Sequence, residues 1–65
     1  ELSDREKEVL IHLVNGMSNK EISNALCIST HTVISHRKNL TKKLNIHSVA
    51  GLTIYAIVHN LINIE

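Results

Sequence analysis

The chain has no proline, no phenylalanine and no tryptophan, and only one tyrosine and two glycines in 65 residues. Strands favour aromatic and β-branched residues, so this poverty argues against a sheet and for helices joined by short connections. A single cysteine, Cys27, excludes an internal disulfide and fits a reducing, cytoplasmic setting. No apolar run approaches the ~18 residues of a membrane span, and no signal peptide is visible. Acid is missing as well: from Ile22 to Ile64 there is not one Asp or Glu.

What is present suffices for one small domain. Apolar residues make up 43% of the chain, too many for disorder. At this size folding buries only about 60% of the unfolded chain's surface, so every apolar face matters. The chain opens on Glu1, not Met, and we take it as an excised domain of a longer protein, one domain over residues 1–65. The net charge is only +1, but the first 21 residues hold five acids against three bases. Arg37, Lys38, Lys42 and Lys43 then lie close together in the acid-free part. Such asymmetry points to a polyanionic partner, or to a solvated basic face.

Four helices are predicted, over about 4–15, 19–26, 30–44 and 49–59, which makes the fold all-α. Ser3 and Glu6 form a capping box, with Leu2 as a hydrophobic staple. Val9, Leu10, Leu13 and Val14 follow at helical spacing, Gly16 ends the helix, and Met17 joins the core. Ser18 and Glu21 repeat the box, and Ile22, Ala25 and Leu26 are the expected buried face of a short second helix. Cys27-Ile28 is the turn, where Cys27 is expected as a small packed residue, since no neighbouring base would activate its thiol. Ser29 caps the third helix, so residues 19–44 form a helix-turn-helix unit. Ser48 caps the fourth helix, and Asn60 suits a left-handed stop.

The third helix has two unlike sides. At ~100° per residue, Val33, Leu40 and Leu44 fall within roughly 20° of one line. His31, Ser35, Lys38 and Lys42 cluster opposite, flanked by Ile34 and Asn39. Exposed isoleucine is unusual in a polar stripe, but a helix in the DNA major groove meets thymine methyl groups there. The fourth helix is apolar on more than one side. Val49, Leu52 and Ala56 form one stripe; Ala50, Ile54, Ile57 and Leu61 form another. So small a domain needs only one, and the second, with Thr53 beside it, is either a partner surface or covered by the tail Leu61–Ile64.

Catalytic and metal chemistry find no support. His31 and His36 are five positions apart on one helix, roughly 140° around it, and cannot share an ion. His12, His47 and His59 stand without Cys or carboxylate at ligand spacing. Neither a nucleophile–base pair nor a phosphate-cradling glycine loop is recognisable, so no enzyme, metal or cofactor is expected. DNA binding, in contrast, has its parts. His31, Ile34, Ser35 and Lys38 would meet base edges, Lys38 facing guanine and Ile34 a thymine methyl. Lys20, Ser29, Thr30, Thr32, Asn39, Lys42 and Lys43 would hold phosphates. Arg37 either reaches a phosphate or pairs with Glu6 or Glu8, and His36 packs beside the apolar edge.

Taken together, Leu2-Ser-Asp-Arg-Glu-x-Glu-Val-Leu10, Gly16-Met-Ser-Asn-Lys-Glu-Ile22, Leu26-x-Ile-Ser29, Thr32-Val-x-x-His36 and Lys43-Leu-Asn-Ile46-x-Ser48 closely resemble the LuxR-type (GerE/FixJ-like) helix-turn-helix domain. The resemblance runs from Leu2 to about Ile62. It implies a four-helix, C-terminal DNA-binding domain of a bacterial transcription regulator, in many relatives the output of a two-component response regulator. It places groove reading on Ile34, Ser35 and Lys38, and phosphate contacts on Thr32, Lys42 and the loop around His47. It also implies a homodimer through the fourth helix, which assigns Ala50, Thr53, Ile54 and Ile57 to the subunit contact. Departures from the pattern are Ile34 (often lysine), Cys27 and Asn60 (often glycine) and His47 (often a stronger base). The expected partners are double-stranded DNA, a second copy, an attached N-terminal regulatory domain that masks the DNA-binding helices, and RNA polymerase. The rival is a helical protein-interaction module that does not bind DNA.

Overall fold

The computed structural model describes residues 1–63. It contains α1 (Asp4–Val14), α2 (Asn19–Leu26), α3 (Thr30–Leu44) and α4 (Val49–Val58), with no strand among the described residues. Each helix begins at a serine whose hydroxyl accepts the backbone N–H three residues on: Ser3 from Glu6, Ser18 from Glu21, Ser29 from Thr32 and Ser48 from Gly51. These bonds satisfy amide groups that have no partner inside the helix. Glu6 and Glu21 also accept from the cap residue's own N–H, at 3.0 and 2.8 Å, which completes both capping boxes.

The helix ends share a second device. Gly16, Cys27, Asn45 and Asn60 all take positive φ, and only one of them is glycine. After each left-handed residue the chain bonds back: Met17 N–H to the His12 carbonyl, Ile28 to Ser23, Ile46 to Thr41 and Leu61 to Ala56. This is the closure that ends a helix by satisfying its last carbonyls. It also explains why α1 and α4 stop one residue before the expected 15 and 59. Asn15 and His59 are already the caps.

α1 is the hub, packing against α2, α3 and α4, while α2 packs on α3. Its Val9, Leu10 and Leu13 meet Ile22, Val33, Leu40 and Leu52 in the core, with Leu2 closing the start. Ala56 is also buried. Gly51 is required where α4 leaves the preceding loop. A Cβ there would lie 2.6 Å from Ile46 Cγ2, far inside van der Waals contact.

Three expectations are corrected. Ala25 is exposed and Ser23 takes its place inside, because Ile22, Leu26 and Ser23 span one arc of α2 and Ala25 lies off its edge. Ser23 tolerates burial because its hydroxyl donates to the Lys20 carbonyl at 2.7 Å. Cys27 is exposed, not packed, because the left-handed turn swings it outward. Val49 is 50% exposed, since α4 turns Leu52 and Ala56 inward and leaves its first residue at the rim. Of the tail, Leu61 packs against the core, and the part of that expectation falling on Ile64 lies outside the described residues.

Candidate nucleic-acid interface

α3 is positioned by what it buries. Val33 and Leu40 have no exposed surface, and Leu44 packs beside them. That inward edge leaves His31, Ser35, Lys38, Asn39 and Lys42 exposed, with Ile34 among them at 42%. Imidazole, hydroxyl and ammonium groups thus line one side of a 15-residue rod with an aliphatic chain between them. Such a row offers hydrogen-bond donors, acceptors and one methyl-sized apolar contact, the set that base edges in a major groove require.

The start of α3 carries hydroxyls. Ser29 Oγ accepts the Thr32 N–H at 3.0 Å and lies 2.8 Å from Thr32 Oγ1. Thr30 is exposed, with Oγ1 donating to Ser23 Oγ at 3.5 Å. Lys20 is exposed at the start of α2, and His47 is exposed in the loop before α4.

Two cations of α3 find side-chain partners within the fold. Arg37 meets neither Glu6 nor Glu8; its Nη1–H donates to Asn19 Oδ1 at 2.6 Å. Glu8 instead pairs with Arg5 at 3.5 Å. Lys43 is turned back from the outer face, its Nζ donating to Glu6 Oε1 at 2.9 Å. The wheel explains this: Lys43 lies ~80° from Val33 on the side facing α1, within reach of a carboxylate buried there. Glu6 is only 4% exposed. The Lys43 ammonium, and then the Ser3 N–H, hold its pKa below the ordinary 4.5 against the opposing effect of burial. Asn19 and the double role of Glu6 escaped the sequence reading. A polar residue one position inside a helix start is the only signal Asn19 offers.

α4 presents a separate surface. None of its ten residues is charged. Ile54 is 63% exposed and Val58 68%, with Ala50 on the same line and Thr53 and Ile57 half-buried beside them. Thr53 Oγ1 donates to the Val49 carbonyl at 2.8 Å, so its hydroxyl is satisfied within the helix. Val58 extends this apolar face beyond the residues singled out from sequence.

Among the described residues no group of three or more His, Cys, Asp or Glu is placed to hold a metal ion. No helix there is long and apolar enough to cross a membrane.

The family model described as bacterial regulatory proteins, luxR family, matches residues 1–56. The Fimbriae Z protein of Salmonella typhimurium is 48% identical over 61 residues, covering 94% of this chain and 29% of that protein. The transcriptional regulatory protein MctR of Rhizobium johnstonii is 47% identical over 62 residues, 95% of this chain and 29% of that one. The uncharacterized response regulatory protein YgeK of Escherichia coli is 48% identical over 48 residues, 74% of this chain and 33% of its own length. The chain thus spans about a third or less of the curated relatives it matches.

Proposed function

Because the chain belongs to the luxR family of bacterial regulatory proteins, we propose that it binds DNA sequence-specifically and regulates transcription, with α3 in the major groove. The observation that carries this reading is the outward row His31, Ile34, Ser35 and Lys38, left uncovered by the domain while the opposite edge of the same helix is buried. Ile34 and Lys38 discriminate bases; Lys20, Ser29, Thr30, Thr32, Asn39, Lys42 and His47 hold the two phosphate walls.

The uncharged α4 face supports a homodimer, with Ala50, Thr53, Ile54 and Ile57 at the contact. Two copies then read half-sites about one helical turn apart, probed best with inverted repeats. The likeness to YgeK, a response regulatory protein by name, supports a place as the output part of a response regulator. In that setting a regulatory domain preceding Glu1 masks α3 or α4 until its signal arrives.

A titration of this chain with duplex DNA over a salt series tests the reading. Binding through several phosphates weakens steeply with rising salt, the logarithm of the constant falling by about 0.9 per phosphate for each tenfold rise. A salt-independent or absent interaction would leave a helical protein-interaction module as the better account. Masking is tested separately: equal DNA affinity of this chain and of the full-length regulator before and after activation would exclude it.

A further inference from the structure

Asn19 of α2 and Ile34, Arg37, Lys38 and Thr41 of α3 line a shallow, open cleft of about 240 Å³. Among the described residues no carboxylate lines it. We infer that Asn19 is a positioning residue: it holds the Arg37 guanidinium at this cleft, where the guanidinium grips a phosphodiester of the DNA backbone. The inference rests on the DNA-binding reading and deepens it.

The contrast with the other tethered cations carries the argument. Lys43 and Arg5 are matched to the carboxylates of Glu6 and Glu8, so their charge is compensated within the fold. Arg37 is tethered just as closely, at 2.6 Å and across two helices, but to a neutral amide. An amide oxygen orients a guanidinium without cancelling its charge. The bond uses one of the five N–H donors of Arg37 and leaves the others for a phosphate. The remaining guanidinium donors are therefore presented at a cleft wide enough for a phosphate. Arg37 lies ~100° from Lys38 around α3, off the base-reading row, which suits a groove wall better than a base edge.

The test is a double-mutant cycle read by fluorescence anisotropy on a labelled random-sequence duplex, with thermal unfolding of every variant. Asn19→Ala weakens binding about threefold to tenfold, and in an Arg37→Gln background it weakens binding no further, because the amide acts through the guanidinium. Asn19→Asp separates positioning from support. Its carboxylate binds Arg37 more strongly and suits the first turn of α2, so the unfolding midpoint holds or rises. DNA affinity nevertheless falls, and the salt slope flattens by about 0.9, the contribution of one phosphate. Equal losses from Asn19→Ala in both backgrounds, or wild-type binding by Asn19→Asp, would overturn the inference while leaving DNA binding intact. Failure of the wild-type chain to bind the duplex at any salt would overturn both.

Discussion

Lys43 in the last turn of α3 donates to Glu6 in the first turn of α1, 2.9 Å from Nζ to Oε1. The same carboxylate oxygen accepts the Ser3 N–H at 3.0 Å. One buried side chain therefore starts a helix and ties it to the far end of another. Because the folded pKa of Glu6 lies below the ordinary 4.5, its contribution to stability is complete above that value and is lost as pH falls through the depressed one. Glu6→Gln keeps the acceptor for Ser3 and removes the charge. It should cost about 1–2 kcal/mol near neutral pH and weaken the acid dependence of stability. Urea titrations of both proteins between neutral and acidic pH check this; parallel pH profiles would count against the linkage.

Gly51→Ala offers a test by sign. In an open helix the change should stabilise by about 1 kcal/mol. Here the new Cβ would sit 2.6 Å from Ile46 Cγ2, and we expect a loss of about 1–3 kcal/mol. In an Ile46→Ala background the added methyl should cost less or help. Denaturant midpoints of the four proteins settle the matter.

The three lysines of α3 should separate on DNA. Lys38→Ala should cost about 1–3 kcal/mol on a selected site and relax base choice, whereas Lys42→Ala should weaken all sequences alike and lower the salt slope. Lys43→Ala should change DNA affinity least and folding stability most, because its ammonium is engaged by Glu6. Affinities on selected and random duplexes, with unfolding midpoints, give all three answers. Uniform behaviour of the set would refute this division.

Ile54 is 63% exposed, so Ile54→Glu should leave the single chain folded, within about 0.5 kcal/mol of wild type. Binding to a duplex with two half-sites should suffer much more than binding to one. An equal effect on both would argue that α4 is not the subunit contact.

Much of this was readable in the residues, for local reasons. Serine followed three positions later by glutamate announces a helix start wherever it occurs, and the edge formed by Val33, Leu40 and Leu44 orients α3 without knowledge of its neighbours. The exposure of Val49 was not readable, because it shares the inward line of Leu52 and Ala56 and is uncovered only as the first residue of α4, at the rim of the fold. The partners of Arg37 and Lys43 depend on how three helices cross. Asn19 is 18 residues from Arg37 and Glu6 is 37 from Lys43, and no spacing rule along one helix reaches that far. Cys27 was misplaced for a different reason: its burial depended on the handedness of one backbone residue.

Three of the four helix ends turn on Cys27, Asn45 and Asn60, where glycine would sit without torsional penalty. None of the three lies on the row that faces outward from α3. On the proposed function, thermal resistance and operator choice can therefore drift independently in this scaffold, since a lineage moving to a hotter habitat could harden its helix stops without rewriting the bases that the α3 row is proposed to read.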